Sequence, residues 1–123
     1  LASSKSENLV QLVSVHLVLG EMGMVKKLGS ENPVVIFSKS NCGMCHTIKT
    51  LINNFGANPK VYEIDQHQDG QKMERELLRL GQEPSVPTVF IGKEMIGGSD
   101  EVIGLNVKGE LKPLLIRAKA IWI

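Results

Sequence analysis

The 123-residue sequence is short of several things on which whole protein classes depend. It holds two cysteines, too few for the disulfide framework of a small secreted scaffold. It has no surplus of either charge: 14 basic and 13 acidic residues leave +1, which argues against a nucleic-acid surface as its main business. It also lacks an apolar run of about 18 residues, so no transmembrane helix and no membrane partner are expected. What remains is ordinary for a globular chain. Hydrophobic residues make up 42% and charged residues 22%, enough apolar material for a core and too much for wholesale disorder. The length suits one domain, which would bury roughly 70% of the unfolded chain's surface.

The N-terminal region divides in two. Residues 1–8 are polar, and Leu9–Leu19 is apolar but broken by Gln11, Ser14 and His16. The flank contains Glu7 and no small-x-small cleavage site comes after the apolar run, so an amphipathic helix is expected here rather than a signal-peptide core. With no clear targeting segment, cytoplasm and nucleus are the expected locations.

Downstream, periodicity marks the elements. Pro33–Ser38 is β-branched and aromatic and reads as a buried strand. Polar Ser38–Asn41 makes a turn able to cap a helix. Met44, Ile48, Leu51, Ile52 and Phe55 recur at helical spacing, predicting a helix over Cys42–Phe55. Lys60–Ile64 alternates as a second strand. Gln71–Leu80 carries Met73, Leu77 and Leu78 on a helix closed by Gly81. Thr88–Ile91 and Glu94–Ile96, joined by Gly92-Lys93, form a hairpin. Ser99 is expected to cap a helix starting at Asp100-Glu101, and Leu111–Ile123 to form a last amphipathic helix with Pro113 near its start. Two β–α crossovers and then a hairpin imply an α/β fold: a four-stranded mixed sheet with helices on both faces.

The two cysteines are Cys42 and Cys45, a spacing met in on the order of 2% of random placements. Cys42 at a helix start meets free backbone N–H groups and the positive end of the macrodipole, with Lys39 three residues earlier. Such settings lower a thiol pKa of about 8.5 to roughly 3.5–7.5. Cys45 lies on the same helix face one turn on, within reach of a disulfide. One activated and one resolving sulfur suffice for thiol–disulfide exchange. Other uses of the pair remain. Structural zinc needs four ligands, and neither a second C-x-x-C nor an H-x₃₋₅-H accompanies His46. Cys42–His46 also fits the covalent haem signature C-x-x-C-H, although a strand leading straight into the motif suits haem poorly. An iron–sulfur cluster shared between two chains, with Cys42 as ligand, stays open because Gly43 leaves the turn uncrowded.

Two further constellations accompany the cysteines. Ser85-Val86-Pro87-Thr88 stands at the entry to the third strand, where proline is tolerated; a cis bond there would free the Val86 backbone to pair with an extended peptide. Gly97-Gly98-Ser99-Asp100 allows close backbone approach beside a helix N-terminus suited to a carboxylate.

Taken together, Ser38–Cys45 after a strand, Ser85–Gly92, and Gly97–Asp100 resemble a glutaredoxin over roughly Met24 to Leu111. The ending, with Leu111, Leu114, Leu115 and Ala120-Ile121-Trp122-Ile123, resembles the tail of the land-plant CC-type subgroup. The resemblance implies a thioredoxin fold and three segments: an N-terminal helical extension over 1–23, the glutaredoxin domain over 24–110, and an interaction tail over 111–123. It implies a glutathione-dependent oxidoreductase acting on protein disulfides and protein–glutathione mixed disulfides, with Cys42 as nucleophile and Cys45 as resolving thiol. Lys39 would meet the glycyl carboxylate of glutathione and Val86 its cysteinyl backbone. Ser99 and Asp100 would hold its γ-glutamyl end, and Pro87 would be the cis-proline. The alternatives implied are a [2Fe-2S]-bridged dimer and a co-regulator binding bZIP transcription factors and a co-repressor through Leu111, Leu114, Leu115 and Trp122. The chain departs from the family pattern at Gly43, where most CC-type members carry another cysteine. It departs again at Pro84 and Ser85, which replace a basic residue and a threonine and bear on glutathione affinity.

Overall fold

The structure, a computed structural model, describes residues 23–122. The elements in order are α1 (23–29), β1 (Val34–Ser38), α2 (Gly43–Asn54), β2 (Lys60–Glu63), α3 (Gly70–Arg79), β3 (Thr88–Ile91), β4 (Glu94–Gly97), α4 (Ser99–Val107) and α5 (Leu111–Arg117). The amphipathic helix expected over Leu9–Leu19 lies outside the described residues, as does all of the expected 1–23 extension but its last residue. Helix α1 is an element that the periodicity did not announce.

The four strands run in the order β2-β1-β3-β4. β1 pairs parallel to β2, as a crossover through α2 allows, and antiparallel to β3. β3 and β4 form the expected hairpin over Gly92-Lys93, with positive φ at both turn residues (59° and 75°). That is the backbone a two-residue hairpin turn needs to match strand twist.

Strand alternation sorts β1 into two cores. Val34 and Ile36 face Ile48 and Ile52 of α2, Val102 of α4, and Leu111 and Leu115 of α5. Val35 and Phe37 face the other way, toward Val25 of α1, Met73 and Leu77 of α3, and Phe90. Helices therefore cover both faces, and the central β1 is buried along its whole length. This is the thioredoxin fold. Among the described residues no helix is long and apolar enough to cross a membrane.

Two expected boundaries shift. The α4 cap is Gly98, and Ser99 is already the first helical residue, without a capping side-chain bond. The last helix stops at Arg117 rather than continuing to Ile123, because Lys119 turns to φ 61° and the Lys119 and Ala120 N–H groups close onto Ile116 and Leu115 carbonyls.

α1 is held to α3 by one carboxylate. Glu76 is fully buried, and its Oε1 and Oε2 accept from the Val25 and Lys26 N–H groups at 2.9 and 3.4 Å, satisfying orphan donors of the first helical turn. Burial raises the pKa of Glu76; the backbone bonds oppose the shift without cancelling it. A carboxyl raised in the folded state contributes stability that is complete below its unfolded pKa and fades as pH rises through the folded value. Glu76→Gln keeps an acceptor for Val25 and does not ionise. Its melting temperature relative to wild type is therefore expected to climb as pH rises through that window, and a pH-independent difference would contradict this. Glu76→Ala leaves the N–H groups unpaired and should cost about 1–3 kcal/mol.

Candidate active site

α2 begins directly after β1 and a tight turn in which the Cys42 N–H bonds the Lys39 carbonyl at 3.1 Å. The turn is anchored from outside by Asp65, which accepts from the Ser40 backbone N–H at 3.0 Å and from the Ser40 hydroxyl. These Ser40 bonds, the hydroxyl first, hold the Asp65 carboxyl below its ordinary pKa.

Cys42 is itself the N-cap of α2: its Sγ accepts from the Cys45 N–H at 3.0 Å. The expectation that a polar turn residue would cap gives way to the sulfur, which here does what a capping oxygen usually does. Cys42 and Cys45 are joined as a disulfide with Cα atoms 5.2 Å apart. The two sulfur-bearing residues differ in access. Cys42 is half-buried, whereas Cys45 is 3% exposed and packed with Val86, Phe37 and Val35. An incoming thiol or disulfide therefore meets Cys42.

The Val86–Pro87 bond is cis, and so is Glu83–Pro84, for which nothing in the sequence argued. Val86 shares the Cys45 side of the core, which brings the proline loop beside the disulfide. Thr88 Oγ1 donates to the Ser85 carbonyl at 2.7 Å and braces the loop from within. Pro87, Ser99 and Asp100 line one cleft of about 120 Å³, together with Gln82, Glu83 and Gly98. Lys39 borders a second, larger cleft of about 540 Å³ with Asn41, His67 and Gln71. The disulfide itself lines a third, smaller pocket of about 90 Å³ with Lys39, Ser40 and His46, so Lys39 borders both that pocket and the larger cleft.

Lys39 is not free in its groove. Its Nζ contacts Oε1 of Glu74 at 2.8 Å, and the same oxygen accepts from Ser85 Oγ at 3.0 Å. Lys39 first, then Ser85, draws the Glu74 carboxyl below its ordinary pKa. Sequence reasoning missed Glu74. The only signal was its place on α3 next to Met73, which says that it borders the core but not what it faces.

The tail residues lie apart from this site. Leu111 and Leu115 are fully buried in the core, Leu114 is half-buried, and Trp122 stands 82% exposed. α5 and Ile121 are built into that core, and of the four expected interaction residues Trp122 is the one that is exposed.

Among the described residues, no group of three His, Cys, Asp or Glu side chains converges as metal ligands.

A cysteine pair at a helix N-terminus beside a cis-proline loop on this sheet defines a thiol–disulfide oxidoreductase of the thioredoxin fold. The sequence model of the family described as Glutaredoxin matches residues 34–96. The chain is 52% identical over 102 residues to monothiol glutaredoxin-S6 of Arabidopsis thaliana, covering 83% of this chain and all of that protein. It is 48% identical over 103 residues to putative glutaredoxin-C14 of Oryza sativa subsp. japonica, with the same coverage. Among solved structures, the buckwheat glutaredoxin–glutathione complex superposes with TM-score 0.78 at 39% identity, over 83% of this chain and 93% of that one. The holo form of glutaredoxin C1 from Populus tremula x tremuloides gives 0.76 at 41%, over 80% and 98%. The chain belongs to the glutaredoxin family.

Proposed function

We propose that this glutaredoxin uses glutathione to reduce protein–glutathione mixed disulfides and protein disulfides. The observation that carries the reading is the asymmetry of the sulfurs, one approachable at a helix N-terminus and one buried, in a pocket that Lys39 also lines. The Cys42 thiolate attacks the glutathione sulfur of a mixed disulfide. A Cys42–glutathione disulfide forms, and the protein leaves as a thiolate that takes a proton from water. The thiolate of a second glutathione then attacks the bound glutathione sulfur, releasing oxidised glutathione and the Cys42 thiolate. In the dithiol route Cys42 attacks a protein disulfide and Cys45 resolves the adduct, leaving the Cys42–Cys45 bond seen here for two glutathiones to reduce. Glutathione lies with its glycyl carboxylate toward Lys39, its cysteinyl backbone along Val86 beside Pro87, and its γ-glutamyl end at Ser99 and Asp100. The buckwheat relative, solved with glutathione, supports glutathione as the ligand in this reading. The test is turnover of a glutathionylated peptide. Oxidised glutathione should form at a rate that saturates with glutathione, and a rate no higher than the protein-free background would refute the proposal.

A second reading rests on Trp122, a large apolar side chain left 82% exposed. As a member of the land-plant CC-type subgroup, the protein acts in cytoplasm and nucleus and presents its C-terminal end to bZIP factors and a co-repressor. Deleting 111–123 would remove core residues, so the informative variant is Trp122→Ala. It is expected to weaken capture of such a partner by at least about tenfold and to leave peptide deglutathionylation within about twofold of wild type. Unchanged capture would remove the tail from the interaction.

A further inference from the structure

Glu74 reaches from α3 into the space between the two loops that flank the disulfide. Its Oε1 takes the Lys39 ammonium from one loop at 2.8 Å and the Ser85 hydroxyl from the other at 3.0 Å. Lys39 and Glu74 line the same cleft of about 540 Å³, so the cation set closest before Cys42 in sequence enters that cleft already matched by an anion. A cation and an anion in contact leave a dipolar field that falls off faster than that of a lone charge, and an approaching carboxylate meets both. Glu74 is also not at liberty to swing aside with Lys39, since Ser85 holds the same oxygen.

We propose that Glu74 is a built-in competitor for Lys39 and sets how strongly the site takes anionic thiols and disulfides. It is a specificity-determining residue, and removing its charge while keeping its shape opens the site to carboxylates. The inference rests on the glutathione reading only for which anion it is that arrives. An incoming carboxylate must displace Glu74 from the ammonium or share it, and either leaves a partly desolvated charge less well paired than before. Neutral partners meet no such competition, so the residue discriminates by charge and not by size. Both members of the pair are about one-third exposed (32% and 39%), which keeps the expected effect modest.

The experiment uses Glu74→Gln, whose amide oxygen can still accept from Ser85 and Lys39. In the reduced protein, Cys42 is alkylated in parallel with iodoacetate, a carboxylate, and iodoacetamide, its neutral counterpart. The ratio of the two rates is expected to rise about two- to fivefold in Glu74→Gln. The gain should vanish when Lys39→Gln is added and should shrink in high salt. In glutathione turnover, KM for glutathione should fall by a similar factor while kcat changes little. An unchanged alkylation ratio overturns the inference whether or not glutathione is the substrate. A raised ratio with an unchanged glutathione KM overturns its link to substrate affinity. If wild type does not turn over glutathione at all, the proposed function fails, and the alkylation ratio still decides the role of Glu74.

Discussion

Cys42→Ser is expected to bring peptide deglutathionylation to background, a loss of at least about a hundredfold, while Cys45→Ser retains most of it. The reason is positional. Cys42 is the half-buried N-cap whose sulfur already accepts the Cys45 N–H at 3.0 Å, and in the reduced protein that bond favours the thiolate, the form that attacks. A serine oxygen keeps the cap but ionises far too weakly to serve as nucleophile. Cys45 lies 3% exposed behind Cys42, so in the proposed mechanism its part is to resolve what Cys42 has captured. With Cys45 replaced, glutathione itself must clear the adduct, and mass spectrometry of Cys45→Ser should show a Cys42–glutathione adduct. Equal loss in both variants would make the dithiol route obligatory. Activity surviving in Cys42→Ser would reverse the roles. Several relatives carry the word monothiol in their names, and the Cys45 variant is the direct test of how far that description extends here.

Gly70→Ala is expected to be the most destabilising single-methyl change in the described chain. Gly70 is the first residue of α3, where the helix passes the end of β2. A Cβ built there would collide with the Ile64 carbonyl oxygen, which is backbone and cannot rotate away. Relieving the overlap means moving α3 off the sheet, and with it Met73 and Leu77 of the second core and Glu76, which holds α1. A cost of about 3 kcal/mol or more is expected, lowering the melting temperature on the order of 10 °C. Gly104→Ala in α4 is the matched control. Nothing lies within 4 Å of the added methyl, and the helix should gain up to about 1 kcal/mol. Thermal unfolding of the two variants side by side decides the matter, since equal melting temperatures would mean that the Gly70 approach is not rigid.

The elements that could be read from the chain are those whose signal is local. Val34-Val35-Ile36-Phe37 cannot be anything but a buried strand, because four β-formers in a row satisfy both sheet faces at once. Gly92-Lys93 between two short apolar runs announces its own turn. Cys42 and Cys45 are set one helical turn apart by the chain itself, so their pairing needed no distant partner. The misreadings fall at helix ends. Ser99 would cap a helix in isolation, but the cap of α4 sits one residue earlier, at Gly98. The C-terminal helix had the right apolar residues to run on, yet it ended at Arg117 once Leu111 and Leu115 were seated in the core and Ile121 had to fold back to reach it. α1 has too few turns for a periodic signal and is held through a carboxylate from elsewhere.

Glu74 and Glu76 mark the limit most clearly. They are the same residue type, two positions apart on one helix, with nothing in the local sequence to tell their roles apart. One faces Lys39, 35 residues away, and Ser85 at the edge of the site; the other is buried against the Val25 N–H, 51 residues away. By itself the sequence determined the strands, the hairpin and the cysteine pair at a helix start, because spacing over a few residues is enough to specify each. The tertiary structure alone set how deeply Cys45 is buried, which glutamate pairs with Lys39 and which one fastens α1. Those outcomes depend on charges and donors brought together from distant parts of the chain, and no short-range pattern encodes them.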